Sequence, residues 1–171
     1  PSPETLEDYG RRVKSIREWQ EDLLAIKDLP AVTVDGHRVA LHANIELPDE
    51  TDEVIRQGGE GVGLFRSEYL MTAHAHPPDE EEQSDAYNHV AARLAPAPVT
   101  IRTFDLGGDK FTDLQHEPPE KNPFLGFRAI RYCLAHGDFF KAQLRAILRA
   151  SVNCNVRILL PMVCAVEEIR R

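Results

Sequence analysis

Long apolar runs are missing from this sequence: no stretch approaches the ~18 residues that a membrane span needs, so none reads as a transmembrane helix. No basic-then-apolar leader opens it, and a first residue Pro1 in place of Met predicts a start inside a longer product. Cysteine is scarce. The three present, Cys133, Cys154 and Cys164, are odd in number and lack C-x-x-C spacing, which argues against a disulfide scaffold or a zinc site and fits a reducing cytoplasm. Positive charge is also in deficit: 20 Lys and Arg face 28 Asp and Glu, a net −8. Acidic residues bunch only at Asp79-Glu80-Glu81-Glu82, and no basic face for nucleic acid or anionic lipid is evident. A negative total does not exclude an anionic substrate, because charges are screened beyond about 8 Å and the local pocket decides.

What is there is the make-up of a soluble globular domain: 171 residues, 42% hydrophobic and 28% charged, enough for a real core. Leu6, Tyr9, Val13, Ile16, Trp19, Leu23 and Ile26 recur every three or four positions, predicting a long amphipathic helix over residues 3–27. Ser2 and Pro3 suit its N-cap and first position, and Asp28-Leu29-Pro30 ends it. It reads as a connector to something upstream. Asp35-Gly36 between Val32-Thr33-Val34 and Arg38-Val39-Ala40-Leu41 predicts a hairpin.

Beyond the hairpin, strand-like and helix-like stretches alternate. Strands are expected over 39–47, 62–66, 99–104 and 156–162; helices over 49–57, 80–94, 123–134 and 139–150, with another starting at Ala165. Parallel strands need crossovers, and helices are the usual ones, so the pattern predicts a parallel α/β architecture. The longest irregular stretch, 105–121, is rich in Gly, Asp, Pro and Glu, and loops of that length are usually functional or mobile.

Gly59-Glu60-Gly61-Val62-Gly63 looks like a nucleotide-binding loop, but its glycines precede a strand instead of following one. Arg66 is more informative, because it stands at the carboxyl end of the strand begun at Val62, the end that faces the active site in β/α barrels. Arg102 repeats the placement in Val99-Thr100-Ile101-Arg102-Thr103-Phe104. Two readings stay open. Arg66 and Arg102 pair with Glu68 and Asp105 as internal ion pairs, or both guanidinium forks converge on a phosphate, which suits their planar multi-donor geometry. After the second arginine, Gly107-Gly108 would let backbone approach a ligand and Lys110 would add a mobile charge, although the segment lacks a P-loop ending. Asn122-Pro123 resembles a capped helix start, with Arg128 facing either pocket or solvent. His74 and His76 lie in a loop without a third ligand at a familiar spacing, so a solvated loop is preferred to a metal pair.

At these residues the sequence resembles enzyme I, the phosphoenolpyruvate-protein phosphotransferases, along essentially its whole length. The resemblance is carried by Asp28-Leu29-Pro30-Ala31, Asp35-Gly36-His37, Ala43-Asn44-Ile45, residues 59–70, 101–110 and 122–131, Ile147-Leu148-Arg149-Ala150-Ser151 and Leu160-Pro161-Met162. The Gly-x-Gly-Leu-x-Arg-x-Glu pattern and the later strand arginine also occur in pyruvate phosphate dikinase and phosphoenolpyruvate synthase, whereas Asp-Leu-Pro-Ala and Asp-Gly-His favour enzyme I.

The resemblance implies that Arg66 and Arg102 grip the phosphate of phosphoenolpyruvate, with Lys110 and Arg128 as further pocket residues. It implies phosphoryl transfer to a histidine and on to a small phosphocarrier protein in sugar uptake, with magnesium as cofactor, a cysteine protonating the enolate, and a cytoplasmic homodimer as the full-length form. The phosphohistidine segment, the strands with the magnesium-binding acids and the proton-donor cysteine segment have no counterpart here. A (β/α)8 barrel takes about 250 residues, so the expectation is a connector helix over 1–28 followed, over 29–171, by the first half of a barrel ending after its fourth strand. The rivals are a non-catalytic half-barrel that binds phosphate or pairs with another chain, and a fragment of a dikinase or synthase.

Overall fold

The computed structural model describes residues 2–73, 76–107, 122, 125–152 and 154–171. Helix α1 spans Pro3–Ile26, with Ser2 Oγ accepting the Thr5 N–H at 3.2 Å and Pro3 in the first turn, where its missing N–H is no loss. No α1 residue is buried; Leu6, Tyr9, Ile16 and Trp19 are each more than half exposed. The hairpin is short. Gly36, at φ +86°, turns the chain, a single antiparallel bridge joins Val32 to Arg38, and Thr33 N–H and Val39 N–H close on His37 and Ala31 carbonyls.

Four parallel strands follow in the order β1-β2-β3-β4: β1 Ala43–Ile45, β2 Val62–Arg66, β3 Val99–Arg102 and β4 Val156–Leu159. Helix α2 (Thr51–Arg56) joins β1 to β2. α3 (Leu70–Ala73) and α4 (Glu80–Leu94) join β2 to β3, and α5 (Ile130–Ala135) and α6 (Gly137–Ala150) join β3 to β4; α7 (Val166–Arg170) comes last. This is the α/β class the alternation predicts, and the sheet is consistent with part of a barrel.

One face of the sheet packs under α4 and α6. Phe65 and Ile101 from the strands meet Tyr87, Val90 and Leu94 from α4 and Ala146, Ile147 and Ala150 from α6 in one core. Burial of each larger apolar side chain contributes about 1.5–3 kcal/mol. A second cluster, Met71, Phe104, Leu106 and Cys133, lies beyond the strand ends and carries Tyr132, Phe139 and Phe140 on its flank. Burial pushes the Cys133 thiol up to about 12.

The acidic run has a structural use. Asp79 Oδ1 accepts the Glu82 N–H and Glu82 Oε2 accepts the Asp79 N–H, a capping box that starts α4. Glu80 and Glu81 reach across to Arg145 and Arg149 of α6 at 2.6 and 2.7 Å, and the Arg145 hydrogen bond holds the Glu80 carboxyl below its usual range.

Boundaries shift where local stops act. β1 is shorter than 39–47 because residues 39–42 lie exposed outside the ladder and Pro48 follows closely. β4 ends at Leu159, before Pro161 and a Met162 at φ +63°. Of the helix expected over 123–134, Leu125 has 3-10 geometry and the α-helical part begins at Ile130, after an irregular 126–128 and an Ala129 at φ +51°. The Asn122 carbonyl accepts the Leu125 N–H at 3.0 Å, and residues 123 and 124, on which the expected capped start falls, lie outside the described residues.

Candidate functional site

Parallel strands finish on one edge, and there the two strand arginines meet in register: Arg66, the last residue of β2, is the partner of Arg102, the last of β3. Strand neighbours in register project to one face about 4.8 Å apart. Their predecessors Phe65 and Ile101 are fully buried under the helices, so alternation turns Arg66 and Arg102 to the opposite face, where both are partly exposed.

Each guanidinium holds a carboxylate. Arg66 Nη1 donates to Glu46 Oε1 at 2.6 Å, both side chains being about one-third exposed. Arg102 Nη2 bonds Glu68 Oε1, and its Nη1 stands 3.6 Å from Asp105 Oδ2. The internal-pair reading thus holds for Arg102 with Glu68 and Asp105, but Arg66 pairs with Glu46 instead. Sequence reasoning missed Glu46. It stands one residue past β1 on the same sheet edge, so the positional rule that singled out the arginines would have found it.

Arg128 turns inward. Its Nε and Nη2 both donate to Asp105 Oδ1, at 3.0 and 2.8 Å, and its side chain is only 8% exposed. Asp105 therefore lies between Arg102 and Arg128, one carboxylate shared by two guanidinium groups. The close approach that holds Arg128 is made by Gly107, at φ +127°, whose added Cβ would meet Arg128 Cβ at 2.3 Å. Lys110 lies outside the described residues, as do Gly108 and His74. His76 is exposed, its Nδ1 3.0 Å from the Pro77 carbonyl and its Nε2 3.9 Å from Glu82.

Chemically, the edge offers fixed, permanently charged donors in a partly dry setting, the equipment for an anion with several acceptor oxygens. Arg102 keeps a buried Nε–H without a hydrogen-bond partner, a donor still unused. Among the described residues no three His, Cys, Asp or Glu side chains converge as a metal site, and Glu46, Glu68 and Asp105 are each engaged by arginine. No helix among the described residues is long and apolar enough to cross a membrane.

Comparison with known proteins supplies the wider setting. Residues 20–171 match the family described as PEP-utilising enzyme, PEP-binding domain. The chain is 44% identical over all 171 residues to a phosphoenolpyruvate-protein phosphotransferase of Priestia megaterium. It is 42% identical over 170 residues to proteins of the same name from Bacillus subtilis (strain 168) and Staphylococcus carnosus (strain TM300). In each comparison it spans 30% of the relative's length.

Proposed function

Because this chain belongs to the PEP-utilising enzyme family, within its PEP-binding domain, we propose that it is part of a phosphoenolpyruvate-protein phosphotransferase and grips the substrate's phosphate. The observation that carries the reading is the register of Arg66 against Arg102 at one sheet edge. Arg66 and Arg102 take the phosphate oxygens, Arg128 reinforces them through Asp105, and Lys110 adds a further charge. The chain forms the first half of the barrel, over 29–171, behind the connector helix over 1–28.

In the reaction, the bond between phosphorus and the enol oxygen of phosphoenolpyruvate breaks and a bond from phosphorus to a histidine nitrogen forms. The enolate left behind takes a proton to become pyruvate, and the phosphoryl group moves on to a small phosphocarrier protein in sugar uptake. This chain's part is electrostatic. Guanidinium groups fixed before the substrate arrives stabilise the charge spread over the migrating phosphoryl oxygens, and need no reorganisation at the moment of transfer.

Magnesium belongs to the full-length enzyme in this reading. Its ligands are taken to lie outside this chain, and no step is drawn through it. The full-length form is taken as a cytoplasmic homodimer, and the shared name of the relatives favours a phosphotransferase over a dikinase or synthase.

The test is Arg66→Ala and Arg102→Ala in the full-length enzyme, with phosphoenolpyruvate-dependent phosphorylation and circular dichroism measured together. Loss of a charge-assisted contact worth about 1.5–3 kcal/mol predicts a drop of roughly 10- to 100-fold or more in kcat/KM with the fold intact. Near-parental kinetics in both variants would defeat the assignment.

A further inference from the structure

The geometry points to Gln143 as the positioning residue that holds the two strand-end arginines in register, an inference that rests on the phosphate role proposed for them. Gln143 lies on α6 and is fully buried. Its Oε1 accepts the Phe104 N–H at 3.0 Å, while its Nε2 donates to Ser67 Oγ at 3.0 Å and to the Tyr87 hydroxyl at 3.1 Å. Ser67 Oγ in turn donates to the Arg102 carbonyl at 2.6 Å. Tyr87 passes its own proton on to Gln83 Oε1 at 3.3 Å. Four buried polar heads in the middle of an apolar core are expensive unless bonded, and here each one is.

The reason for the network lies in the sheet. β2 stops at Arg66 and curls into a 3-10 turn over Ser67–Tyr69, so beyond Arg102 strand β3 has lost its neighbour on that side. In a strand, alternate residues direct their backbone groups to opposite sides. Thr103 N–H still reaches β4, at the Leu159 carbonyl, 2.9 Å away. The Arg102 carbonyl and the Phe104 N–H face the gap that β2 leaves, and two side chains answer them: Ser67 takes the carbonyl and Gln143 the N–H. Side-chain groups thus continue the ladder for one more step.

That step matters because of what flanks it. Ser67 follows Arg66 directly, and the tied segment 102–104 runs from Arg102 to the residue before Asp105, the partner of both Arg102 and Arg128. One amide therefore sets the end of β2, the end of β3 and the start of the loop that carries Asp105 relative to one another. It touches no substrate; it acts through the arginines' backbones.

The experiment measures kcat and KM for phosphoenolpyruvate, with melting temperatures, in full-length Gln143→Met, Tyr87→Phe and Arg102→Ala. Gln143→Met keeps the length and removes every polar bond. Misplacement of about 1 Å can cost on the order of 100-fold, so KM is expected to rise at least about tenfold well below the melting temperature. Tyr87→Phe removes a hydrogen bond from the same core but leaves Ser67 and Phe104 tied, and KM should then change by less than about threefold. A parental KM in Gln143→Met, or an equal shift in Tyr87→Phe at matched melting temperature, overturns the inference. Should Gln143→Met fail to fold, Ser67→Ala is judged by the same thresholds. A near-parental kcat/KM in Arg102→Ala, as in Arg66→Ala, overturns the phosphate reading and this inference with it, whereas a crippled Arg102→Ala beside an unaffected Gln143→Met overturns the positioning role alone.

Discussion

Replacing Gly107 with alanine tests how tightly the segment beneath Arg128 is set. An ideal Cβ on Gly107 would lie 2.3 Å from Arg128 Cβ, 2.8 Å from Arg128 Cα and 2.8 Å from the Phe127 carbonyl oxygen. Carbon atoms are comfortable at about 3.5–4.0 Å, so the two backbone segments must part by roughly 1 Å. Two of the three clashing atoms are backbone, which removes the easy escape of a rotamer change. The φ of +127° adds a separate penalty, since an L side chain there is strained by about 1–3 kcal/mol. Overpacking adds a further ~1–3 kcal/mol, for a total of about 2–6 kcal/mol. With a urea dependence of about 2 kcal/mol per molar, the unfolding midpoint should fall by roughly 1–3 M. Urea titration of the chain followed by far-ultraviolet circular dichroism measures this, with Gly10→Ala alongside. Gly10 lies in α1 with nothing within 4 Å of its added Cβ, so that variant should be neutral or up to about 1 kcal/mol more stable. A Gly107→Ala midpoint within about 0.3 M of the parent would refute the reasoning.

Two further outcomes follow from buried groups. Asp105→Ala removes the carboxylate that accepts two donors from the largely buried Arg128, and should destabilise by about 1.5–3 kcal/mol in the same titration; a loss below about 1 kcal/mol would contradict the pairing. Cys133, raised from 9.0 to about 12 by burial, keeps its proton in the folded chain after the unfolded chain has lost it. Its stability contribution is therefore complete below pH 9 and declines by about 1.4 kcal/mol per pH unit as pH climbs towards 12. Tyr87, also raised by burial, deepens the alkaline loss above its ordinary value of 10.0. Cys133→Ala should flatten the slope just above pH 9, and an unchanged slope would count against it.

The sheet and its helices were legible because burial writes a period into the sequence. The strand Val62–Arg66 and the helix Glu80–Leu94 fall where the pattern places them, bounded by Gly61 on one side and by Asp79 and Ala95 on the other. Arg66 and Arg102 were legible for the converse reason: a charge ending an apolar strand interrupts the period. Partner choice was not. Arg66 takes Glu46, twenty residues earlier, because β1 lies beside β2 in space, and no local spacing encodes which neighbour a strand adopts. Gln143 was invisible by the same logic. It sits between apolar positions of α6 as an ordinary helix residue, and its meaning depends on the chain turning away after Arg66 while that past Arg102 runs on beside β4. Where α5 begins was hidden for a similar reason: Arg128 is held by Asp105 and packed against Gly107, contacts distant in sequence, and the chain there runs irregularly up to Ile130.

Three guanidinium groups and three carboxylates share the edge where the strands end: Arg66 with Glu46, and Arg102 and Arg128 with Glu68 and Asp105. These six charges balance, so an arriving anion competes with the resident acids for the forks they hold, while the Arg102 Nε–H stays open to it. Recognition there works by exchange of partners. A ligand with one carboxylate merely replaces what it evicts, while one whose oxygens fan out tetrahedrally can occupy several forks at once.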